Sequence, residues 1–317
     1  MSDIKQNINE NADCYSSSAE INDDDFLDKE DDGFEVKKES LWVDVWRRFK
    51  RDKKALAGLG ILIILVIVAV FADFIAPRMY YEQDLTNRFV RPSLAHPLGT
   101  DNFGRDILSR IIFASRISLG VGLASASIAA LVGWSMGSLA GYNSGVIDNS
   151  IMRVMDILLA IPAILLAIAI ASALGTGLFN TVMAISISAI PGFARIARAS
   201  VLGVKEQEFV EAARAIGAKN YRVLLRHILP NCMAPLIVQF TLTVASSILN
   251  AAALSFVGLG VQPPTPEWGA MLSAGRHHIR DHWHLVTFPG VAIMVSIFSL
   301  NLFGDGLRDA LDPKLKQ

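Results

Sequence analysis

The sequence predicts an all-α integral membrane protein with six transmembrane helices. Three observations lead there. The chain has 317 residues, 52% of them hydrophobic, and its mean hydropathy is positive. The apolar residues gather in several unbroken runs of membrane-spanning length, which a soluble core does not need. The Lys and Arg residues then fall mostly in alternate connections. About 20 apolar residues at 1.5 Å rise cross the ~30 Å hydrocarbon layer. With no water there to satisfy the backbone, such runs must be helices.

Before the first run comes an acidic segment. The formal charge of −1 for the whole chain hides 13 Asp/Glu against 4 Lys in residues 1–40. Residues 41–317 then carry 25 Lys/Arg against 17 Asp/Glu, a net of +8. Like charges with few large apolar residues predict a disordered tail; a docking tail for a basic partner is the functional alternative. No signal peptide is expected, because the start is not basic and the first apolar run begins only near Ala55. The two cysteines, Cys14 and Cys232, fit no metal-ligand pattern or pair and read as incidental thiols.

Residues 41–54 mix Leu41, Trp42, Val45, Trp46 and Phe49 with Arg47, Arg48, Lys50, Arg51, Lys53 and Lys54. That combination predicts an amphipathic helix in the headgroup zone of the cytoplasmic face. The transmembrane domain follows over 55–317. The first span is expected over 55–76, before Pro77. A polar stretch over 77–115 follows, in which Arg105 has Asp106 beside it. Its Ile107, Leu108, Ile111 and Ile112 would lie along the outer interface. The second span covers 117–141 and is rich in Gly, Ala and Ser. The third covers 154–174 and includes Pro162; the fourth covers 178–194 and includes Pro191. Both prolines predict kinks. The fifth span is 234–259 and the sixth 285–303. Small residues in spans two to five let helices approach closely.

With the N-terminus inside, six spans also put the C-terminus inside. The inner segments from residue 41 on then hold 17 Lys/Arg and the outer ones 8, in line with the positive-inside tendency.

The polar segment 201–231 carries the chemistry. Phe209, Ala212, Ala213 and Ile216 recur at helical spacing, with Glu206, Glu208, Glu211 and Arg214 elsewhere. Gly217 permits the positive φ that ends a helix. A second helix is expected from Asn220 to His227, basic through Lys219, Arg222 and Arg226, with Pro230 stopping it. A helix–turn–helix at the cytoplasmic surface of a membrane bundle asks for a partner.

Glu211-Ala212-Ala213, Gly217 and Ile228-Leu229-Pro230 resemble the EAA loop of bacterial ABC importer permeases, with His227 where an aliphatic residue is usual. The run Arg226 to Asn231 looks like the variant in peptide-transporter permeases. His96–Asp101 with Gly104-Arg105-Asp106, the stretch from Gln262 to Leu272, and the end from Gly304 to Pro313 resemble other signatures of dipeptide and oligopeptide permeases. Glutathione and nickel importers of the same group look similar.

The resemblance implies a type I ABC importer permease fold in the bacterial cytoplasmic (inner) membrane. It implies a second, homologous permease subunit, two ABC ATPase subunits and an extracytoplasmic substrate-binding protein. Membrane lipid surrounds such a chain, and no nucleic acid is expected. Glu211, Ala212, Ala213, Gly217, Ile228, Leu229 and Pro230 would form the coupling loop that docks onto an ATPase. The chain has no G-x-x-x-x-G-K-[S/T] phosphate loop. ATP and Mg would therefore belong to the partner subunits, with no cofactor and no catalytic residue in this chain.

Asn180, Asn250 and Asn301 would line the pathway or hydrogen-bond between helices. Arg153 and Asp156 are expected to pair at (i, i+3). Asp305, Arg308 and Asp309 read as a cytoplasmic end. His277, His278, His282 and His284 cluster in the outer loop but match no defined metal site, so they are expected on the surface facing the binding protein. No span carries the central acid–base chain of a proton-coupled carrier.

Overall fold

A computed structural model describes residues 41–311. The acidic segment 1–40 with Cys14, together with Asp312 and Pro313, lies outside the described residues.

Helix α1 (Leu41–Phe49) precedes α2 (Lys53–Val70), α3 (Ala72–Ile75) and α4 (Ile107–Asn143). Next come α5 (Gly145–Leu159), α6 (Ala163–Leu174) and α7 (Leu178–Lys205). Two short helices, α8 (Glu208–Ala215) and α9 (Asn220–Arg222), lead into α10 (Met233–Val257). Helices α11 (Trp268–Gly275) and α12 (His284–Leu311) complete the described chain. No strand occurs among the described residues beyond a single bridge between Thr100 and Asp106. Among the described residues, five helices are long and apolar enough to cross a membrane, and α5 with α6 makes a sixth candidate span bent by 90°.

The first span ends early for a visible reason. Arg116 of α4 donates to the carbonyls of Ala69 and Val70 and pairs with Asp73 at 2.7 Å. Carbonyls left free at the end of α2 are thus satisfied by a cation, which the helix dipole favours there. Residues 107–116, expected along the outer interface, instead form the first turns of α4. Asp106 caps them, accepting from the Ser109 amide at 2.8 Å. With 37 residues, α4 rises about 55 Å, well beyond the hydrocarbon thickness.

The prolines expected to kink or stop helices, Pro162, Pro191 and Pro230, act differently. At Pro162 the predicted kink is a right-angle break between α5 and α6. At Pro191 the helix continues unbroken from Leu178 to Lys205. At Pro230 the expected helix end is absent. A π-helical turn (Val223–Ile228) and a 3-10 turn (Leu229–Cys232) carry the chain directly into α10. Proline's ring clashes with the carbonyl four residues back, and widening the preceding turn relieves that clash.

At the core of the bundle, α4 packs on α7, α10 and α2, while α12 packs on α2 and α10. Gly133, Gly137 and Gly141, one per turn of α4, face α7. A Cβ at Gly137 would stand 2.2 Å from the Ala194 carbonyl oxygen, so only glycine lets the backbones approach this far. Ion pairs fasten α5 to α7. Arg198 grips Asp148 with two bonds of 2.6 and 2.7 Å, and Arg195 reaches Asp156 at 2.7 Å. Asp156 therefore pairs across helices rather than with Arg153.

Candidate docking site

The segment joining α7 to α10 is a small folded unit with its own core. Val201, Val210, Val223, Ile228 and Cys232 are buried together, with Tyr142 of α4 packed against them. Two observations correct the predicted faces. Of the apolar residues in α8, Val210 and Ala213 point inward. Phe209, Ala212 and Ile216 do not, and Ile216 is 86% exposed. The four residues expected to share a helical face are thus split, with Ala213 turned inward and the other three outward. Tyr221 and Leu225, 59% and 61% exposed, extend that outward apolar surface.

Gly217 is the turn. Its φ is +82°, a conformation that costs other L-residues about 1–2 kcal/mol. The Gly217 amide donates to the Arg214 carbonyl at 2.9 Å, and the Ala218 amide to Ala213 at 3.2 Å. This is the Schellman pattern that closes a helix on glycine. Glu211 is exposed on α8 and has no ion-pair partner among the described residues. Ile228 is buried in the unit's core, Leu229 is half-buried and Pro230 is exposed. The predicted group is therefore one unit, with Glu211, Ala212 and Gly217 at its surface and Ala213 and Ile228 inside.

What sequence reasoning missed is the hold of α4 on this unit. Tyr142 donates its hydroxyl to the Asn220 side-chain oxygen at 3.0 Å, and Lys205 donates to the Tyr142 carbonyl at 2.7 Å. Tyr142 lies 60 residues or more from these partners, so no local pattern could have marked it.

At the opposite end of the bundle, the motif residues fasten the connections to the helices. Asp101 accepts from Arg105 Nε at 2.7 Å, and Asp106 contacts His96 Nδ1 at 3.1 Å. Arg105 and Asp106, neighbours in sequence, thus enter two separate buried pairs. Glu267 caps α11 through the amides of Gly269 and Ala270, and Trp268 Nε1 donates to the Ile111 carbonyl at 3.1 Å. The histidines divide. His282 stacks on Phe89 at 4.5 Å, while His284 is buried rather than on the surface. No metal-holding group of three His, Cys, Asp or Glu occurs among the described residues.

Asn180 ties α7 to the end of α6, donating to the Leu174 and Gly175 carbonyls at 2.8 and 3.2 Å. Asn250 is half-buried in α10 and Asn301 is exposed on α12.

Residues 40–97 match the N-terminal TM domain of oligopeptide transport permease C. A glutathione transport system permease protein of Escherichia coli is 47% identical over 278 residues, covering 87% of this chain and 91% of that protein. A di/tripeptide transport system permease protein of Pseudomonas aeruginosa is 48% identical over 279 residues, covering 86% and 92%. A dipeptide transport system permease protein of Alkalihalophilus pseudofirmus is 47% identical over 277 residues, covering 87% and 91%. Among solved structures, inward-facing MetNI methionine ABC transporter chains share the fold. One has a TM-score of 0.54 at 18% identity and covers 64% of this chain and 96% of that chain. Residues 129–317 match the binding-protein-dependent transport system inner membrane component, and this multi-pass permease belongs to that family.

Proposed function

We propose that this chain is the permease of an ATP-binding-cassette importer that carries dipeptides or short oligopeptides across the bacterial cytoplasmic membrane. A second, homologous permease completes the pathway. Two ABC ATPase subunits supply the ATP- and Mg-dependent step, and an extracytoplasmic binding protein delivers the substrate. The N- and C-termini, with α8 and α9, face the cytoplasm.

The observation that carries this reading is the outward surface of α8 and α9. Phe209, Ile216, Tyr221 and Leu225 are exposed among the charges of Glu208, Glu211, Arg214, Lys219, Arg222 and Arg226. Hydrocarbon would not accept those charges, and water does not favour so many apolar side chains together. A protein partner of mixed character accommodates both. The unit behind the surface is rigid enough to pass a push onward, because its core is closed and its turn is locked at Gly217. The ATPase closure would bias the bundle between inward-open and outward-open states. Asn250 and Asn301 remain residues of the pathway or of helix contacts.

Named relatives support peptide import, and glutathione import is the alternative within the family. Nickel import is a further alternative of the same architecture. An ATP-independent carrier or channel would leave the docking surface without a purpose. Uptake of labelled alanyl-alanine, glutathione and nickel, measured in cells with and without this gene and its ATPase, tests the reading. Loss of dipeptide uptake alone, on deletion of either, is the expected result. Dipeptide uptake that survives removal of the ATPase would overturn it.

A further inference from the structure

We propose that Tyr142, in the last turn of α4, is the joint through which the docking unit moves the transmembrane bundle. This rests on the docking reading given above. Covalently, the docking unit is connected only to α7 and α10. Helix α4 is attached to it by side chains, and those attachments converge on one residue.

The Tyr142 hydroxyl donates to Asn220 Oδ1 at 3.0 Å, at the start of α9. Lys205, the last residue of α7, donates from Nζ to the Tyr142 carbonyl at 2.7 Å and to Ser144 Oγ at 3.2 Å. The aromatic ring lies under two cations, with Lys205 Nζ at 5.7 Å and Arg214 Cζ at 5.8 Å from its centroid. Arg214 belongs to α8. Helices α8 and α9 of the docking unit, and the end of α7 that leads into it, therefore all hold Tyr142. Its ring also packs on the unit's apolar core.

The other end of α4 is fastened equally firmly. Asp106 caps its first turn, and Ser118 donates to Glu267 at 3.2 Å, joining α4 to the connection ahead of α11. A single helix thus runs from the docking unit to the opposite face of the bundle. A displacement of α8 and α9 reaches α4 at Tyr142 and is carried along it without a flexible link. Tyr142 is a positioning residue: it touches neither nucleotide nor substrate.

The test uses the complete importer, purified with its ATPase subunits and reconstituted into liposomes with its binding protein and labelled alanyl-alanine. The readout is ATP hydrolysed per dipeptide imported, alongside the amount of ATPase that co-purifies. Tyr142→Phe keeps the ring and its cation contacts but loses the bond to Asn220. Its ratio should rise about threefold, in keeping with one exposed hydrogen bond. Tyr142→Ala should raise it about tenfold or more, with the co-purified ATPase unchanged in both. Asn220→Ala should match Tyr142→Phe, and the double variant should be no worse than either.

An unchanged ratio in both Tyr142 variants, with ATPase retained, overturns the joint and leaves the docking reading standing. Loss of ATPase from Tyr142→Phe also overturns it, since Tyr142 would then shape the docking surface itself. If Tyr142→Ala does not fold, Tyr142→Phe and Asn220→Ala decide the matter. A wild-type permease that retains no ATPase at all overturns the docking reading.

Discussion

Gly217 combines a backbone need with open space. Its φ of +82° excludes most side chains on energetic grounds, yet nothing lies within 4 Å of where a Cβ would stand. Gly217→Asp should therefore fold, because Asp tolerates this conformation better than most residues. It places strain and an anion beside Ile216, on the outward face. Membrane levels near wild type with uptake reduced at least tenfold are expected, and wild-type uptake would remove Gly217 from the coupling role. Local charge pairs were the least legible feature at this scale. Arg153 and Asp156 suggested a pair that Arg195 of α7 displaced, and Arg105, with Asp106 beside it, turns instead to Asp101 four residues back. Arg105 takes Asp101 and Asp106 takes His96 in buried contacts, while Asp156 takes Arg195 in an exposed one.

Helices were legible where composition alone decides them and illegible where packing does. The apolar runs marked the five long apolar helices and the bent α5–α6 pair. The prolines marked positions of trouble but not its outcome, because a missing amide can be absorbed by a widened turn, by close packing or by a break. Pro191 is buried in α7, which is held against the glycines of α4, and that packing offsets the lost hydrogen bond. The same contact makes a prediction about the pair. Gly137→Leu should separate α4 from α7, since even a Cβ meets the Ala194 carbonyl oxygen at 2.2 Å. Overpacking of this kind costs about 1–3 kcal/mol or more. Less folded permease in the membrane is expected, measured by detergent-resistant yield. Gly120, with nothing within 4 Å, is the control position whose Ala variant should be silent.

Across the molecule, the helix–turn–helix between α7 and α10 was legible in its spacing, but the direction of its faces was not. A helical pattern shows that residues share a face; it does not show whether that face looks in or out. Phe209, Ala212 and Ile216 point away from the bundle because Val210 and Ala213 already fill the core beneath. The role of α4 was hidden for a different reason. Its contacts join residues far apart in sequence, so only the folded chain brings Tyr142 to Asn220 and Ser118 to Glu267.

The right-angle turn between α5 and α6 has a consequence for the surrounding lipid. With 12 residues, α6 rises only about 18 Å, while the hydrocarbon layer is ~30 Å thick. Helix α5 turns away and cannot supply the missing length along the same axis. Acyl chains beside α6 must therefore compress, or a neighbouring subunit must shield the deficit. Such hydrophobic mismatch costs a fraction of a kcal/mol per Å. The permease should thus be sensitive to acyl-chain length. Transport in vesicles of 22-carbon lipids should fall below that in 16-carbon lipids at about equal fluidity, and equal rates would mean that a protein neighbour, rather than a thinned leaflet, covers α6.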